Sequence, residues 1–155
     1  MYKLSISTSG SYTSACLHEE KLIASLIFKS SQGSTNLLLS EIDELLTKTN
    51  VSKKDLGAIY LDIGPGYYTG LRIGYSVAQG IGASLGIPIV PVNGLDALAF
   101  SAHTSHRKIC TIIDIKRNEY AFCTYKPLPG GVVRETEPEI LNSQTLKAKL
   151  SDDSE

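Results

Sequence analysis

The chain contains no tryptophan, one methionine and three cysteines in 155 residues. Cys16, Cys110 and Cys123 are odd in number and widely spaced, which argues against a disulfide framework or a zinc knuckle, so we expect buried free thiols inside strands. No apolar run approaches the length of a membrane span, and the opening MYKLSISTSG lacks the apolar core of a signal peptide. We therefore expect a cytoplasmic protein that does not contact a membrane.

An excess of charge of one sign is also missing. The 15 Lys and Arg residues are dispersed, 16 Asp and Glu balance them, and the formal net charge is −1. This pattern gives no support for binding nucleic acid without a partner. The HExxH and GxSxG motifs of hydrolases are absent, as is the GxxxxGK[ST] phosphate loop. His103 and His106 have no suitably spaced cysteine or carboxylate to complete a metal shell, which favours a polar loop.

The elements that are present occur in the order β-β-β-α-β-α-β. Hydrophobic patterns predict strands at residues 2–7, 13–18 and 21–28, a helix at 36–49 capped by Ser34 or Thr35, and a capped turn beginning at Ser52. Antiparallel strands followed by a crossover indicate an α/β, ribonuclease-H-like fold with a mixed sheet. The actin-like ATPase (ASKHA) superfamily builds each of its lobes on that plan.

Residues 58–92, AIYLDIGPGYYTGLRIGYSVAQGIGASLGIPIVPV, organise the chain as strand, glycine turn, helix and strand. Gly64 to Gly66 end the first strand, and Gly66 permits a sharp turn and a close neighbour. Thr69 is predicted to cap a helix over residues 70–85, and Gly86 to end it. A buried parallel strand at residues 87–92 follows.

The predicted helix at residues 70–85 carries several glycines, each of which costs roughly 1 kcal/mol of helix stability relative to alanine. Gly70 and Gly74 share one face, and Ala78 continues it. A face this smooth suits close packing, either against the sheet of this chain or against a helix of a partner. Arg72 is similarly open to two interpretations, because it can extend into solvent or pair across an interface.

The remainder of the chain reads as a smaller α/β segment. We predict a helix at residues 94–102 capped by Asn93, strands at 108–114 and 119–125, a loop at 127–131, and a short final helix capped by Ser143 and ending at Leu150. The domain organisation that follows is a first lobe at residues 1–103, a truncated second-lobe segment at 104–150 packed on it, and an acidic tail at 151–155.

Three stretches of the sequence resemble the TsaB (YeaZ) family. Residues 64–99, GPGYYTGLRIGYSVAQGIGASLGIPIVPVNGLDALA, are similar in register to the signature block of the family. The segment IDIKRNEY at residues 113–120 resembles the family's next conserved segment, and LLLSEIDELL resembles its first helix. The resemblance covers about residues 1–125, and members of the family are usually longer.

The resemblance implies a non-catalytic subunit of the bacterial machinery that makes N6-threonylcarbamoyladenosine (t6A) in tRNA. It implies pairing with a TsaD-type catalytic subunit, cooperation with a TsaE-type ATPase and only indirect contact with tRNA. An exposed apolar helix pair is a liability when the chain is alone, so we also expect a homodimer. No cofactor or metal is expected, and ATP or ADP only in the complex. The pairing surface is expected on the first two helices, at Leu37, Leu38, Glu41, Tyr67, Tyr68, Gly70, Leu71, Arg72, Gly74, Tyr75 and Ala78.

The sequence departs from the family pattern at the end of the first strand. Ser7-Thr8-Ser9 stands where members commonly read Asp-Thr-Ser, and a hydroxyl cannot hold a metal or orient a water as a carboxylate does. The family's His-x-Glu start to the first helix is also missing at residues 33–35. These losses disfavour independent catalysis, including a two-metal nuclease built on Asp62 with Glu41 or Glu44.

Two other functions remain open on the sequence alone. One is an independent enzyme, either an ASKHA-type ATPase or a glycoprotease-like peptidase. The other is a nucleotide-binding module without catalysis, because a glycine turn at a helix N-terminus can receive phosphate. Its candidate residues are Gly64, Gly66, Thr69 and Asp114.

Overall fold

The computed structural model describes residues 1–30 and 35–152. The chain divides into two compact units, Met1–Val92 (unit 1) and Asn93–Glu155 (unit 2). The sequence placed a boundary after residue 103, whereas the helix Gly94–Ser101 groups with the second sheet. No helix in the described ranges is long and apolar enough to span a membrane.

Unit 1 is a five-stranded mixed sheet with the strand order β3-β2-β1-β4-β5. The first three strands are antiparallel, whereas β4 pairs parallel to β1 and β5 parallel to β4. Its elements are strands β1 (Tyr2–Ser7), β2 (Tyr12–His18), β3 (Leu22–Lys29), β4 (Leu56–Asp62) and β5 (Ile89–Val92), and helices α1 (Thr35–Lys48) and α2 (Tyr68–Leu85). The predicted β-β-β-α-β-α-β order and ribonuclease-H-like class are confirmed.

The core of unit 1 follows from the alternation of strand side chains. Leu4 and Ile6 of β1 are buried on the face that carries both helices, while Ser5 and Ser7 lie on the opposite face. Both helices contribute to this core, with Leu38, Ile42, Leu45 and Leu46 from α1 and Val77 and Ala78 from α2.

The predicted cap of α2 is wrong, and one of the two caps predicted for α1 is excluded. Helix α1 already includes Thr35, which is therefore not its N-cap, and Ser34 lies outside the described residues. Helix α2 begins at Tyr68 with Tyr67 in the N-cap position and no side-chain capping bond, so Thr69 lies in the first turn. The backbone N–H of Tyr67 donates to the carbonyl of Ser9 at 2.7 Å, and this tertiary bond holds the helix start in place of a hydroxyl cap.

Three other predicted caps are confirmed. Gly86 ends α2 in the left-handed conformation at φ 66°, and its N–H donates to the Gly82 carbonyl. The Asn93 side chain accepts from the first turn of the next helix, and the Ser52 hydroxyl accepts from the N–H of Lys54 at the start of the 3-10 turn. Two polar side chains and one glycine thus set element boundaries by local chemistry alone.

Unit 2 is a small antiparallel sheet in which one strand pairs with three others. Its elements are helix α3 (Gly94–Ser101), strands β6 (Ile109–Lys116), β7 (Glu119–Leu128), β8 (Gly131–Arg134) and β9 (Glu139–Asn142), and helix α4 (Ser143–Asp152). Strand β7 pairs with β6, β8 and β9. The loop predicted at residues 127–131 is wrong because β7 continues to Leu128 and β8 begins at Gly131.

Short elements account for the other differences in unit 2. Strands β8 and β9 have four residues each, too few for a period-2 pattern to be recognised. The N-cap of α4 is Asn142, not Ser143, because the Asn142 side chain accepts from the N–H groups of Gln144 and Thr145. Residues 151 and 152 of the predicted tail belong to α4, and residues 153–155 lie outside the described part.

The three cysteines lie in strands as predicted, but only one is fully buried. Cys123 of β7 is buried under α3, Cys16 of β2 is half-buried, and Cys110 of β6 is exposed. Burial raises the pKa of the Cys16 thiol. The prediction of three buried thiols is therefore wrong for Cys110, because the alternation of β6 turns Ile109 and Thr111 inward and Cys110 outward.

Candidate functional site

The ends of β1 and β4 meet at the carboxylate of Asp62. The hydroxyls of Ser7 and Ser9 donate to its Oδ2 at 2.7 and 2.5 Å, and the N–H of Gly64 donates to its Oδ1 at 2.8 Å. The carboxylate thus connects the turn after β1 to the glycine turn after β4. Both of its oxygens are already engaged within the chain, which makes Asp62 a structural anchor.

No metal-binding group accompanies this carboxylate. Within residues 1–30 and 35–152, no cluster of three or more His, Cys, Asp or Glu residues could hold an ion. The position where the resemblance leads one to expect a first-strand aspartate is held by Ser7, whose hydroxyl serves as a donor to Asp62. The polar groups here satisfy one another and do not point toward an open coordination site.

The glycine face of α2 packs against the turn that follows β1. A Cβ added at Gly66 would lie 2.3 Å from the Ser9 carbonyl oxygen. A Cβ at Gly70 would lie 2.0 Å from the Thr8 carbonyl oxygen, and one at Gly74 would lie 2.3 Å from Thr8 Oγ1. These distances are far below any normal contact, so the absent side chains let the helix backbone approach the turn.

Four residues predicted to contact a partner are therefore used inside the chain. Gly74 is buried, Ala78 is fully buried, and Gly70 is covered by Thr8. Leu38 of α1 is 1% exposed and belongs to the core. All four thus make contacts within this chain, Leu38 from α1 and the other three from the inner face of α2, and a partner contact at these positions stays a prediction.

The opposite face of α2 presents large side chains to solvent. Tyr68 is 74% exposed and Tyr75 is 54% exposed. The guanidinium of Arg72 lies 5.5 Å from the centre of the Tyr68 ring, a cation–π arrangement that holds both side chains at the surface. Exposed tyrosine and arginine are the residue types enriched at protein interfaces.

An apolar groove of 380 Å³ runs between α1 and α2. The ion pair between Lys53 and Asp43, at 2.8 Å, lies at its rim. Gly80 leaves the groove open, since a Cβ there would meet nothing within 4 Å. The apolar lining comes from Leu39, Ile42, Leu46, Leu56, Val77, Ile81 and Leu85. Leu39, Ile42 and Leu46 of α1 form one wall of this groove.

The remaining predicted interface residues lie near these features. Leu37, Glu41, Tyr67 and Leu71 are half-buried, and the Tyr67 hydroxyl is 3.2 Å from the hydroxyl of Ser11. Their contact with a partner stays a prediction.

A second cavity, of 510 Å³, lies in unit 1 beside the turn after β1. Phe28, Leu38 and Ile73 form its apolar part, and Lys29 brings one positive charge. Its polar part consists of side chains at Thr8, Ser11, Tyr12, Thr13, Ser30, Tyr67 and Thr69. Sequence reasoning missed this cavity because its lining comes from four separated segments, none of which carries a binding motif.

Three of the four candidate nucleotide-binding residues lie in unit 1 and the fourth lies in unit 2. Thr69 lines the cavity of 510 Å³, whereas Gly64 and Gly66 do not. Asp114 belongs to unit 2, where its carboxylate accepts from the N–H of Lys116 at 2.7 Å. Thr8 Oγ1 is a buried hydroxyl without a hydrogen-bond partner among the described residues, and it faces Gly74 in the helix.

A hydroxyl–imidazole pair occurs on the outer face of the unit 1 sheet. Ser5 Oγ lies 3.0 Å from His18 Nε2, and the His18 ring lies 5.8 Å from that of Tyr60. In the described part of the chain no carboxylate bonds to His18. The pair therefore lacks the acid that orients the imidazole of a hydrolytic triad.

The strongest charge cluster of unit 2 ties α3 to the sheet. Asp96 accepts hydrogen bonds from the Tyr125 hydroxyl at 2.6 Å and from Arg134 at 2.6 and 2.7 Å. Partial burial opposes ionisation of Asp96, but the Arg134 and Tyr125 bonds outweigh it and hold the pKa of this carboxyl below its ordinary value. Burial and the bond to Asp96 raise the pKa of Tyr125. All three groups are satisfied, so the cluster is structural.

Comparison with known proteins identifies the family. A family model described as TsaD, tRNA N6-adenosine threonylcarbamoyltransferase, matches residues 29–141. The Haemophilus influenzae tRNA threonylcarbamoyladenosine biosynthesis protein TsaB is 32% identical over 90 residues, which are 57% of this chain and 38% of that protein. The Bacillus subtilis protein of the same name is 31% identical over 81% of this chain and 54% of its own length. The chain belongs to the TsaB (YeaZ) family, within the TsaD group.

The solved structures agree with this assignment. A Pseudomonas aeruginosa protein, described as uncharacterized with similarity to peptidase YEAZ, superposes with a TM-score of 0.81 at 26% identity, covering 91% of this chain and 66% of that one. A Thermus thermophilus ROK hexokinase shares the fold alone, at 13% identity and a TM-score of 0.51 over 86% of this chain and 48% of its own. The TsaB-family chain spans about half the length of the curated relatives it matches.

Proposed function

We propose that this TsaB-family chain is a non-catalytic subunit of the t6A machinery that pairs with a TsaD-type transferase. Family membership indicates the pathway, because the relatives are named as proteins of tRNA threonylcarbamoyladenosine biosynthesis. The observations that carry the pairing are the outer surface of α2, where Tyr68, Arg72 and Tyr75 are exposed, and the apolar groove between α1 and α2. We call these three residues together with the groove the helix-pair surface.

The chemistry of the helix-pair surface suits a helical partner. An amphipathic helix places apolar side chains every three or four residues along one stripe, and such a stripe fits a groove between two helices. Tyrosine on the outer face of α2 adds contact area with few rotatable bonds to immobilise, and arginine is enriched among the residues that contribute most to binding. The TsaD-type subunit is the proposed partner, and a second copy of the chain occupies the same surface when that subunit is absent.

The polar cluster at the strand ends supports a role without catalysis. Asp62 is occupied by three donors, and Ser7 is one of them. The Ser5–His18 pair has no orienting carboxylate within the described ranges, which disfavours a peptidase. An independent ATPase would need carboxylates free to bind a metal ion. The TsaE-type ATPase is accordingly proposed to act on the assembled complex.

Co-purification tests the proposal directly. The tagged chain should retain the TsaD-type subunit of the same organism, while Arg72→Glu should release it because a like-sized charge of opposite sign would face the partner. Lys54→Glu is the matched control, since Lys54 is exposed on the 3-10 turn. Light scattering of the chain alone should give the mass of a dimer. A monomer that also fails to retain the TsaD-type subunit contradicts the proposal.

A nucleotide-binding module without catalysis is a second candidate, favoured by the cavity of 510 Å³. Its volume suits a small ligand, and Lys29 and several hydroxyls line it beside the start of α2. Addition of ADP or ATP should then raise the melting temperature of the isolated chain. Lys29→Ala should abolish that shift. An unchanged melting temperature at millimolar nucleotide rules this candidate out.

A further inference from the structure

The two edges of the unit 1 sheet differ in how they are protected. One edge is β5, which has four residues and contains Pro91, a residue without an N–H to offer a further strand. The other edge is β3, which has eight residues and no proline. Within residues 1–30 and 35–152, no strand pairs with the free side of β3. Long edge strands of this kind are the ones on which a further strand can add.

The side chains of β3 make its free edge apolar. Residues 22–28, LIASLIF, carry no charge, and Ile27 is 70% exposed. The features that usually protect an edge occur only at its two ends. The register with β2 shifts between Ala24 and Leu22 at the start of the strand, and Lys29 is its last residue. The middle of β3 is therefore an unprotected, uncharged segment.

The free backbone groups of β3 follow from its pairing with β2. The N–H of Ser30 donates to the Ser11 carbonyl at 3.0 Å, in the register that places Lys29 opposite Tyr12. Bonded and non-bonded pairs alternate along an antiparallel ladder. The even-numbered residues 24, 26 and 28 therefore bond to β2, and the odd-numbered residues 25, 27 and 29 direct their N–H and C=O groups to the open edge.

The inner face of β3 would also gain from a further strand. Ala24, Leu26 and Phe28 pack against the core of unit 1 but are only partly buried, because the sheet ends beside them. A strand added at this edge would extend the apolar face over them. Pairing here thus satisfies backbone groups and covers apolar side chains at the same time.

We propose that β3 pairs antiparallel with β3 of a second copy of this chain, so that one sheet continues through both copies. A two-fold axis perpendicular to the sheet relates the copies and keeps the helices of both on the same face. The axis passes through Leu26, which lies opposite Leu26 of the second copy. Ser25 of each copy then lies opposite Ile27 of the other, and each such pair exchanges two backbone hydrogen bonds.

Charge decides between the possible positions of the axis. An axis through Ser25 would set Lys21 opposite Lys29 of the second copy, and like charges directly opposite each other are destabilising. With the axis through Leu26, Lys29 lies opposite Ile23. The Ile27 side chains of the two copies are then diagonal neighbours on the outer face of the sheet. Positions nearer either end of β3 would overlap fewer residues.

The size of this contact predicts its strength. A contact confined to one strand and its flanking side chains is small, and interfaces below about 1,200 Å² are typically those of transient complexes. The mass of the chain alone should therefore exceed that of a dimer joined at the helix-pair surface only at high concentration. No residue of β3 belongs to the helix-pair surface, so this inference does not depend on the proposed function.

Sedimentation velocity from micromolar to millimolar concentration tests the pairing. The full chain with Arg72→Ala and Tyr75→Ala serves as the parent, because these changes weaken association at the helix-pair surface. Adding Ile27→Lys should weaken the remaining self-association roughly tenfold or more, since two like charges would then lie beside each other. Ile140→Lys is the matched control, because Ile140 is an isoleucine 56% exposed on β9 of unit 2.

A backbone substitution tests the hydrogen bonds separately from the side chains. Ser25→Pro removes an N–H that faces the open edge and leaves the bonds to β2 in place, and proline is tolerated at such positions. Self-association should weaken roughly as much as with Ile27→Lys. Circular dichroism melts of Ser25→Pro, Ile27→Lys and Ile140→Lys show whether each variant remains folded at the temperature of the measurement.

Three results would overturn the proposal. The first is a parent that stays monomeric at millimolar concentration. The second is a folded Ile27→Lys variant that associates as strongly as Ile140→Lys. The third is loss of the TsaD-type subunit in co-purification when Ile27→Lys alone is introduced, which would show that this edge contacts that subunit. Retention of the TsaD-type subunit by an Arg72→Glu chain would count against the proposed function only.

Discussion

The two faces of α2 differ in the size of their side chains and in the contacts that those side chains suit. On the inner face, Gly70 and Gly74 remove side chains so that the helix lies on Thr8. On the outer face, Tyr68 and Tyr75 extend large side chains into solvent. The comparison shows that close helix packing marked by glycine is an internal requirement here, whereas the proposed partner contact depends on bulk. Two glycines four residues apart predict that another segment packs closely on the helix, but they do not show whether that segment belongs to the same chain or to a partner.

Substitution of the inner face gives the largest expected effect. Gly74→Leu places a side chain where Thr8 Oγ1 already lies, and overpacking of this kind typically costs about 1–3 kcal/mol of the free energy of unfolding. Chemical denaturation followed by circular dichroism measures the loss. A variant as stable as the parent would show that α2 can move away from the turn. Close packing on Thr8 would then not require glycine on the inner face.

The turn beneath the inner face can be weakened without touching α2. Asp62→Ala leaves the hydroxyls of Ser7 and Ser9 and the N–H of Gly64 without their acceptor, and unpaired groups cost about 1–3 kcal/mol when buried. Because the site is only half-buried, the lower end of that range is expected. Asp114→Ala, which removes an exposed carboxylate with one backbone bond, is the control and should change stability far less.

A glycine of α2 that has no neighbour should respond in the opposite direction. Gly80→Ala adds a methyl group where nothing lies within 4 Å, so only helix propensity changes. Stability should rise by nearly 1 kcal/mol. The same substitution at Gly74 should lower it, and this pair of variants separates packing from propensity within one helix. A loss of stability at Gly80 would mean that the groove is occupied or closed in solution.

The outer face should contribute least to folding. Tyr75→Ala removes a side chain that is 54% exposed, and surface changes of this kind usually stay within about 0.5 kcal/mol. Thermal unfolding of the variant beside the parent checks this. A large loss would place Tyr75 among the folding contacts and remove it from the helix-pair surface.

Local sequence patterns were enough to predict most of the strands and helix caps. Period-2 alternation located β1 and β2, and the caps at Gly86 and Asn93 act within a few residues of the chain. The glycine face could not be assigned, because the residue that covers it, Thr8, is about sixty positions away and reaches it only through the β1–β4 pairing. Thr69 was predicted as the N-cap of α2 from its residue type. The tertiary hydrogen bond between Tyr67 and Ser9 instead sets the start of the helix.

The exposure of Cys110 could not be predicted for a related reason. Cys110 was assigned to the interior because free cysteines are usually buried, but which face of β6 is covered depends on where α3 packs. Properties that depend on tertiary neighbours were the ones the sequence could not provide.

The affinity of two α2 variants for the TsaD-type subunit tests the central claim most directly. Isothermal titration at 25 °C should show that Tyr75→Ala with Arg72→Ala weakens binding at least tenfold, while the melting temperature stays that of the parent. Gly74→Ala should lower the melting temperature while the fraction that remains folded binds with parental affinity. If Gly74→Ala abolishes binding without loss of stability, and the outer-face variant binds like the parent, the partner contacts the glycine face and the account is wrong.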